Sequence, residues 1–485
     1  MRKSRVNLKS WVTSSDSIMT VEKRPNIVLV VMDTARAQNF SCYGYERETT
    51  PFLDSLAEGN VKYENAFSQA NWTLSSHASM FSGQYLSEHQ ADLDKNIEDL
   101  EVVQDDLKEK GYTTLGAVNV GYLSASTGVD TFFDRHEFMN EGVNLEENSI
   151  FEKSREMRDV PKLEKYWKLG KEALFGGNFS DLFEAGFFVL KKALMRIDSG
   201  AKKTNHKAYQ YLDELDDEPF FMFLNYAEPH APFKPPFPYS HKFLDNKFRY
   251  GSIFETDHKN MKKYLSSDLK PDEGMMDIKQ SLYDGSINYL DSRLENLYKT
   301  IKERYPNTVF IFTSDHGEYL YAHERVNHLV GLHEEVTHVP LVEVFPETME
   351  EKVEGPVELR QIREHLNDIA DGSFEPIRPV DYAVSEDYGG ENFPAFRNLD
   401  LSEKDRKRFS RYSASAVNEK DQLIKYSDGG REENPCRGGS KVSEAMDEAI
   451  EDKVGKPEQK SDAEGEDLDV KDEKIKENLK DLGYM

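Results

Sequence analysis

Three apolar runs in this chain each lead into a residue that can hold a metal ion or move a proton. Asn26 to Met32 leads into Asp33, Val309 to Ser314 leads into Asp315-His316-Gly317, and Phe220 to Leu224 leads through Glu228-Pro229 to His230. At Asp315-His316 a hard carboxylate adjoins an imidazole, with Gly317 permitting a sharp turn, and that pairing suits a divalent cation. Asp33 taken alone reads as a helix cap or a satisfied turn residue; beside Asp315 and His316 it reads as a third ligand. The stretch Asn71 to Gly83 sets a hydroxyl, Thr73, just ahead of a helix start. Orphan N–H groups and the positive end of the helix dipole would face an anion there, although Ser, Thr and Asn are common before helices for capping alone. Thr73 gains chemical interest from the metal site, because an alcohol becomes a nucleophile when a cation binds its oxygen and lowers its pKa.

The runs that position these groups are continuous, apolar and rich in β-branched and aromatic residues. Such runs read as strands buried on both faces of a mostly parallel sheet, which gathers ligands at the carboxyl ends of its strands. Residues 24–345 alternate strand-like and helix-like segments, predicting one doubly wound α/β catalytic domain. Within it, helices are expected over 51–58, 76–82 and 102–110, with a strand over 112–118. A helical insertion is expected over 146–217; its aromatic-rich stripe from Tyr166 to Leu194 reads as a helix pair packed on the sheet, or as a lid or a lipid- or aglycone-binding patch. Residues 346–430 predict a small C-terminal α+β subdomain with a helix over 357–370 and strands over 382–384, 413–417 and 422–426. Residues 431–472 are rich in Glu, Asp, Lys, Gly and Ser, which predicts a flexible acidic linker. A terminal helix over 473–485 and an N-terminal extension over 1–23 complete the expected organisation.

The chain has 485 residues, enough for a large α/β core and a smaller unit. Its 90 acidic against 62 basic residues give a formal charge of −28, a field that repels a polyanion, so nucleic acid is excluded as the expected partner. Cys42 and Cys436 are far apart and support no disulfide framework. Residues 1–20 are basic and polar without the apolar stretch of about 7 to 15 residues that a secretory signal needs. No segment is apolar over the roughly 20 residues that span a bilayer. A cytoplasmic location with no transmembrane segment is the expectation; oligomeric state is unreadable.

Six blocks together resemble the sulfatases of the alkaline phosphatase superfamily. They are Arg24-Pro25-Asn26-Ile27-Val28 through Asp33, Cys42-Tyr43-Gly44-Tyr45 with Thr49-Thr50-Pro51, Ser76-His77-Ala78-Ser79-Met80-Phe81-Ser82-Gly83, Pro219-Phe220-Phe221 through Pro229-His230-Ala231-Pro232, Phe312-Thr313-Ser314-Asp315-His316-Gly317-Glu318, and His338-Val339-Pro340-Leu341. The resemblance implies a mixed, mostly parallel sheet sandwiched between helices, and hydrolysis of sulfate or phosphate esters at one divalent cation. It places Asp33, Asp315 and His316 at metal-ligand positions, with Thr73 facing the same ion. His230 matches a histidine that contacts the anion or protonates the leaving oxygen, His328 falls where the family has a Lys or His near the substrate, and His323 lies in a similar loop. Calcium is the cation the resemblance implies; oxygen donors also fit magnesium, while an imidazole and a threonine oxygen lean toward manganese or zinc.

The sequence departs from that pattern at the reacting position. Sulfatases carry Cys or Ser at the head of Cys-x-Pro-Ser-Arg and convert it to formylglycine; here the matching residues are Thr73, Leu74, Ser75, Ser76 and His77. Threonine cannot give that aldehyde, so no formylglycine is expected. The usual Asp-Asp pair appears as Asp33-Thr34, and a Lys-x-His block is replaced around Asn119-Val120-Gly121. A Thr nucleophile instead resembles the phosphodiesterase and phosphoglycerol-transferase branch, of which the transferases need a membrane anchor. The expected enzyme uses Thr73 as nucleophile, with His230, His328 and His77 in acid, base or anion contact. Its partner is a sulfated or phosphorylated small molecule or glycan. An inactive relative that binds such a glycan is the contrasting expectation.

Overall fold

A computed structural model describes residues 24–91, 97–139, 200–215, 219–245, 273–328, 330–392, 396, 400–435 and 444–455. The expected N-terminal extension, the aromatic stripe of the insertion, residues 456–472 of the linker and the terminal helix lie outside the described residues.

The three apolar runs are the middle of a nine-stranded sheet. Strand β1 (Asn26–Met32) lies between β5 (Phe220–Tyr226) and β6 (Thr308–Thr313), parallel to both, with Val30 opposite Leu224 and Phe312. Outward from β5 come β3 (Thr113–Val118) and β4 (Arg135–Phe138), also parallel. On the other side β8 (Leu341–Val344) and β7 (His338–Val339) run against the rest, while β2 (Val61–Phe67) and β9 (Glu351–Glu358) pair in parallel. The sheet is therefore mixed and mostly parallel.

Side chains alternate along each strand, so burial on both faces needs apolar residues at every position. Ile27, Leu29 and Val31 join Phe221, Phe223, Val309 and Ile311 in one core, while Val28, Val30 and Met32 join Phe220, Met222, Leu224, Phe310 and Phe312 in the other. The first core is roofed by α2 (Thr73–Ser82), a helix over Val103–Glu109 and a helix over Ile362–Ala370. The second is covered by α1 (Pro51–Ala57), a helix over Ala201–Glu214 and the long helix Glu273–Arg304. Each fully buried aliphatic or aromatic side chain in these strands contributes about 1.5–3 kcal/mol relative to exposure.

A second, four-stranded antiparallel sheet runs β10 (Ala383–Asp387), β11 (Ser413–Val417), β12 (Asp421–Tyr426), β13 (Arg431–Pro435). It is the small C-terminal unit, and it differs from expectation at both ends. Residues 351–370 belong to the main layers: β9 pairs with β2, and the helix expected from 357 begins at Ile362, because Val353 and Val357 are drawn into the main core. The expected linker from 431 opens with β13 and includes a helix over Glu444–Val454. Backbone pairing with β12 orders the first of these, and Met446 and Ile450, four residues apart on one helix face, bury against the small sheet. Among the described residues no helix is long and apolar enough to cross a membrane.

Candidate active site

The carboxyl ends of β1, β5 and β6 lie side by side, so the residues that follow them converge. Asp33 and Asp315 are both fully buried, and with His316 they form a group of ligand atoms lying within 4.8 Å of one another. The turn after Asp33 is tightly specified. Thr34 takes a left-handed φ of 60°, its N–H donates to Asp315 Oδ1 at 3.2 Å, and its carbonyl accepts the Tyr283 hydroxyl at 2.7 Å. The Tyr283 oxygen in turn accepts the Arg36 N–H at 2.9 Å, so the long helix on the second face holds this turn from outside the sheet. Ser314 acts in the same way between strands, where its hydroxyl accepts the Ala35 N–H at 3.0 Å and sits 2.6 Å from the Met32 carbonyl.

Helix α2 starts three residues earlier than the sequence pattern predicts. Trp72 is extended at φ −151°, ψ 163°, and Thr73 is the first helical residue, fully buried. This start aims the Thr73 hydroxyl into the cluster, with Oγ1 3.4 Å from Asp33 Oδ2 and 3.4 Å from His316 Nε2. One turn along α2, His77 donates Nδ1–H to the Thr73 carbonyl at 2.8 Å and stands 3.7 Å from Asp315 Oδ2. Its ring packs edge-on against Phe81 and Phe223, and burial keeps it neutral by lowering its pKa. His77 thus braces the Thr73 backbone from a place beside two aromatic rings.

The remaining histidines extend the cluster. His316 donates Nδ1–H to the Gly317 carbonyl at 3.0 Å, which leaves Nε2 with its lone pair toward Thr73 and Asp33. The His328 ring lies 4.3 Å from that of His316, and His230 lies 5.3 Å beyond His328. Burial holds His316 and His328 down at about 4, against the pull of Asp315, and burial with the His328 ring nearby holds His230 at about 3. All three are neutral bases near neutral pH. His323 takes another path, pairing with Glu335 at 3.2 Å and stacking on His333 with ring centroids 3.8 Å apart.

The cluster fits a cation. Asp33 Oδ1 and Asp315 Oδ2 are buried and have no hydrogen-bond partner, an arrangement that costs free energy unless something positive lies between them. Burial first, then the Asp315 charge, pushes the Asp33 carboxyl well above its ordinary value. Burial also acts to raise Asp315, but His316, His77 and two backbone N–H groups outweigh it and hold that carboxyl low. Two carboxylates, a neutral imidazole and an alcohol make a hard, mostly oxygen donor set suited to a divalent ion.

Three neighbours of the site escaped the sequence reading. Asn225 on β5 stands beside Asp33, where its side chain acts against the burial that raises that carboxyl, and its side-chain oxygen accepts the Asn119 N–H at 3.3 Å; its only trace in the sequence is a polar residue interrupting a buried strand. Glu318 is fully buried, 3.6 Å from His328, and follows the Asp315-His316-Gly317 turn directly. Tyr283 left no signal beyond a helical position. Asn119, where the family has its Lys-x-His block, is a buried neutral amide bonded to Thr204 at 2.7 Å and to the Asn225 carbonyl at 3.0 Å.

The same architecture recurs in known proteins. Among solved structures, the phosphonate monoester hydrolase of Agrobacterium radiobacter superposes with a TM-score of 0.58 at 17% identity, covering 85% of this chain and 89% of that one. BT4656, solved with D-glucosamine-2-N,6-O-disulfate, superposes with a TM-score of 0.56 at 15% identity over 95% of this chain and 98% of that one. These likenesses establish the fold. In sequence, the uncharacterized sulfatase YidJ of Escherichia coli strain K12 is 24% identical over 353 residues, covering 69% of this chain and 65% of its own length. An arylsulfatase of Clostridium perfringens is 22% identical over 322 residues, covering 62% of this chain and 64% of its own. Both matches thus span a little under two thirds of the curated relative. Because the sulfatase family model matches residues 25–372, a span that holds the whole Asp33, Thr73, His230, Asp315, His316 and His328 cluster, the chain belongs to the sulfatase family.

Proposed function

We propose that the protein is a metal-dependent hydrolase of sulfate or phosphate esters with Thr73 as its nucleophile. The observation that carries this reading is the placement of Thr73 Oγ1 at 3.4 Å from both Asp33 Oδ2 and His316 Nε2, inside a buried group of cation ligands. Asp33, Asp315, His316 and the Thr73 oxygen would hold one divalent ion. That ion, when bound, lowers the pKa of an alcohol and offsets negative charge on an ester's peripheral oxygens.

The chain's own groups supply the rest. The Thr73 oxygen attacks sulfur or phosphorus, losing its proton, while the bond to the substrate alcohol breaks. His230 directs Nδ1–H to the Ala231 carbonyl at 2.6 Å, so Nε2 is the basic nitrogen of that ring. In this reading the neutral His230 and His328 take the hydroxyl proton and return it to the departing alkoxide. Water then cleaves the Thr73 ester, releases sulfate or phosphate, and restores the hydroxyl. His77 keeps the Thr73 carbonyl fixed throughout and, being neutral and walled by aromatic rings, makes no cationic contact to the anion.

Phosphodiester or phosphonate substrates are the second reading, and a specific observation favours it. At Asn119 and His77, where the family pattern has Lys and Arg, the buried groups are neutral. A pocket with fewer cations favours a singly charged ester, a phosphodiester or phosphonate as much as a sulfate, over a doubly charged phosphate monoester. The test is a panel of aryl sulfate, aryl phosphate, phosphodiester and phosphonate esters, each with calcium, magnesium, manganese and zinc, run on the wild type and on Thr73→Ala. Thr73→Ala is expected to retain cation binding and lose turnover by a factor of at least about 10³. Undiminished hydrolysis in that variant removes Thr73 from the reaction. Failure of the wild type on every ester, with tight titration of a sulfated sugar, makes the protein a glycan-binding relative.

A further inference from the structure

The small sheet reaches the active site through one carboxylate. Asp387 ends β10 and is buried. Its Oδ2 accepts the Gly331 N–H at 2.7 Å, in the loop that carries His328, while Oδ1 accepts the Gly389 N–H at 2.7 Å in its own turn. The Asn71 side chain stands beside the Asp387 carboxylate, where it acts against the burial that raises that pKa, and the Asn71 amide donates to the His328 carbonyl at 3.0 Å. Asn71 lies just before Trp72 and Thr73. The neighbouring residue secures this junction, since the Glu386 N–H donates to the Gln69 carbonyl at 2.9 Å and forms a bridge with Ala70.

The loop between Tyr319 and His333 needs such a tie. Leu320, Tyr321, His323, Glu324 and Asn327 have φ of 44°, 78°, 55°, 57° and 60°, the left-handed region that residues with side chains avoid. Such a run persists only where the surroundings over-determine it. Gly331, at φ 103°, is so close to Tyr319 that a Cβ would sit 2.5 Å from its hydroxyl. Two more contacts from the small sheet hold the far end of the loop: Gln422 donates to the Leu332 carbonyl at 2.5 Å, and Glu432 pairs with His333 at 3.0 Å. Asp387 differs from these two because the residue before it, Glu386, is bonded to the backbone of the segment that leads into Thr73.

We propose that Asp387 is a positioning residue, which touches no reacting atom and sets the spacing of Thr73 and His328 by holding Gly331, in the His328 loop, against the end of β10, whose backbone is bonded to Gln69 and Ala70 just ahead of Asn71 and Thr73. The proposal rests on the assignment of Thr73 and His328 to the reaction, and under it the small sheet serves to pin two loops of the larger one. A single carboxylate suits the role because it accepts from several N–H donors at once, here those of Gly331 and Gly389.

The test is Asp387→Asn in the full-length protein, which keeps the size of the side chain but loses the charge and one acceptor. The expected result is a kcat lower by about 10- to 100-fold with KM within about 2-fold, and unchanged cation affinity. Hydrogen exchange is expected to rise around Asn71 and Gly331 and to stay as in the wild type along β1 and β5. Asp387→Ala is expected to do the same more strongly, and Asp447→Asn, on the outer helix of the small unit, to change none of these. Wild-type kcat and exchange in Asp387→Asn overturn the proposal. A uniform rise in exchange over both sheets, or loss of cation binding, also overturns it by showing a general structural role. Exchange needs no substrate, so if the wild type hydrolyses nothing the reaction assignment fails while the coupling of the two loops is still decided.

Discussion

Asp315 uses its two oxygens differently. Oδ1 accepts two backbone N–H groups, from Thr34 at 3.2 Å and His316 at 2.9 Å, and is thereby locked. Oδ2 has no hydrogen-bond partner and lies 3.4 Å from His316 Nε2, at the point where a cation would be shared with Asp33. Asp315→Asn keeps a locked acceptor while it removes the ligand charge. In the wild type a divalent ion at a hundred times its Kd is expected to stabilise the fold by about 2.7 kcal/mol. The variant is expected to show no thermal shift with any of the four cations, and a shift equal to that of the wild type would remove Asp315 from the site. At this scale the sequence was legible where a reactive residue terminates an apolar run, as at Asp33, Asp315 and His316. It was silent where the partner is distant along the chain: Tyr283 holds the turn after Asp33, and Asn225 stands beside Asp33, through placements that no local pattern encodes.

Elements were legible in proportion to how much of their burial is local. β1, β5 and β6 could be read because both faces of each are buried, which demands an unbroken apolar run. The helix expected from 357 failed at its start because Val357 serves a strand in the main sheet, a choice made by β2 rather than by propensity. The same region holds a buried ion pair that ties the helix over Ile362–Ala370 to β8. His365 Nε2 lies 2.8 Å from Glu343 Oε1, and the other Glu343 oxygen accepts the Tyr63 hydroxyl at 2.7 Å. Burial acts to lower the His365 pKa, but the Glu343 charge outweighs it and the net shift is upward. A folded-state pKa above the unfolded value of about 6.5 means the native protein binds the extra proton. The stabilisation is therefore fully present below about pH 6.5 and is lost as pH rises through the raised folded-state pKa. Denaturant unfolding of the wild type is expected to show that decline, and His365→Gln is expected to lack it while costing about 3–5 kcal/mol at the acid end. Parallel pH profiles for the two proteins would discard the pair as a source of stability.

Over the whole molecule the charge of −28 works against the reaction proposed for the site. The reaction proposed for the cluster at the sheet edge takes an anionic ester, yet the chain surrounds that cluster with a field that lowers the local concentration of anions. Only a bound divalent ion and buried cations nearby, such as Arg36, whose guanidinium donates to the Glu318 carbonyl at 3.1 Å, reverse the sign close to the reacting atoms. Attraction is thus short-ranged and repulsion long-ranged, and salt screens the second far more than the first, since the Debye length falls from about 30 Å at 0.01 M to about 8 Å at 0.15 M. For a substrate bearing a net negative charge, kcat/KM is expected to rise by about 2- to 10-fold over that range of ionic strength. A zwitterionic ester with the same leaving group is expected to change little, and kcat for both is expected to stay level. A fall in kcat/KM with salt for the anionic ester would mean that a positive approach surface guides it in. Such a result would oppose the slope that the acidic excess of the chain predicts.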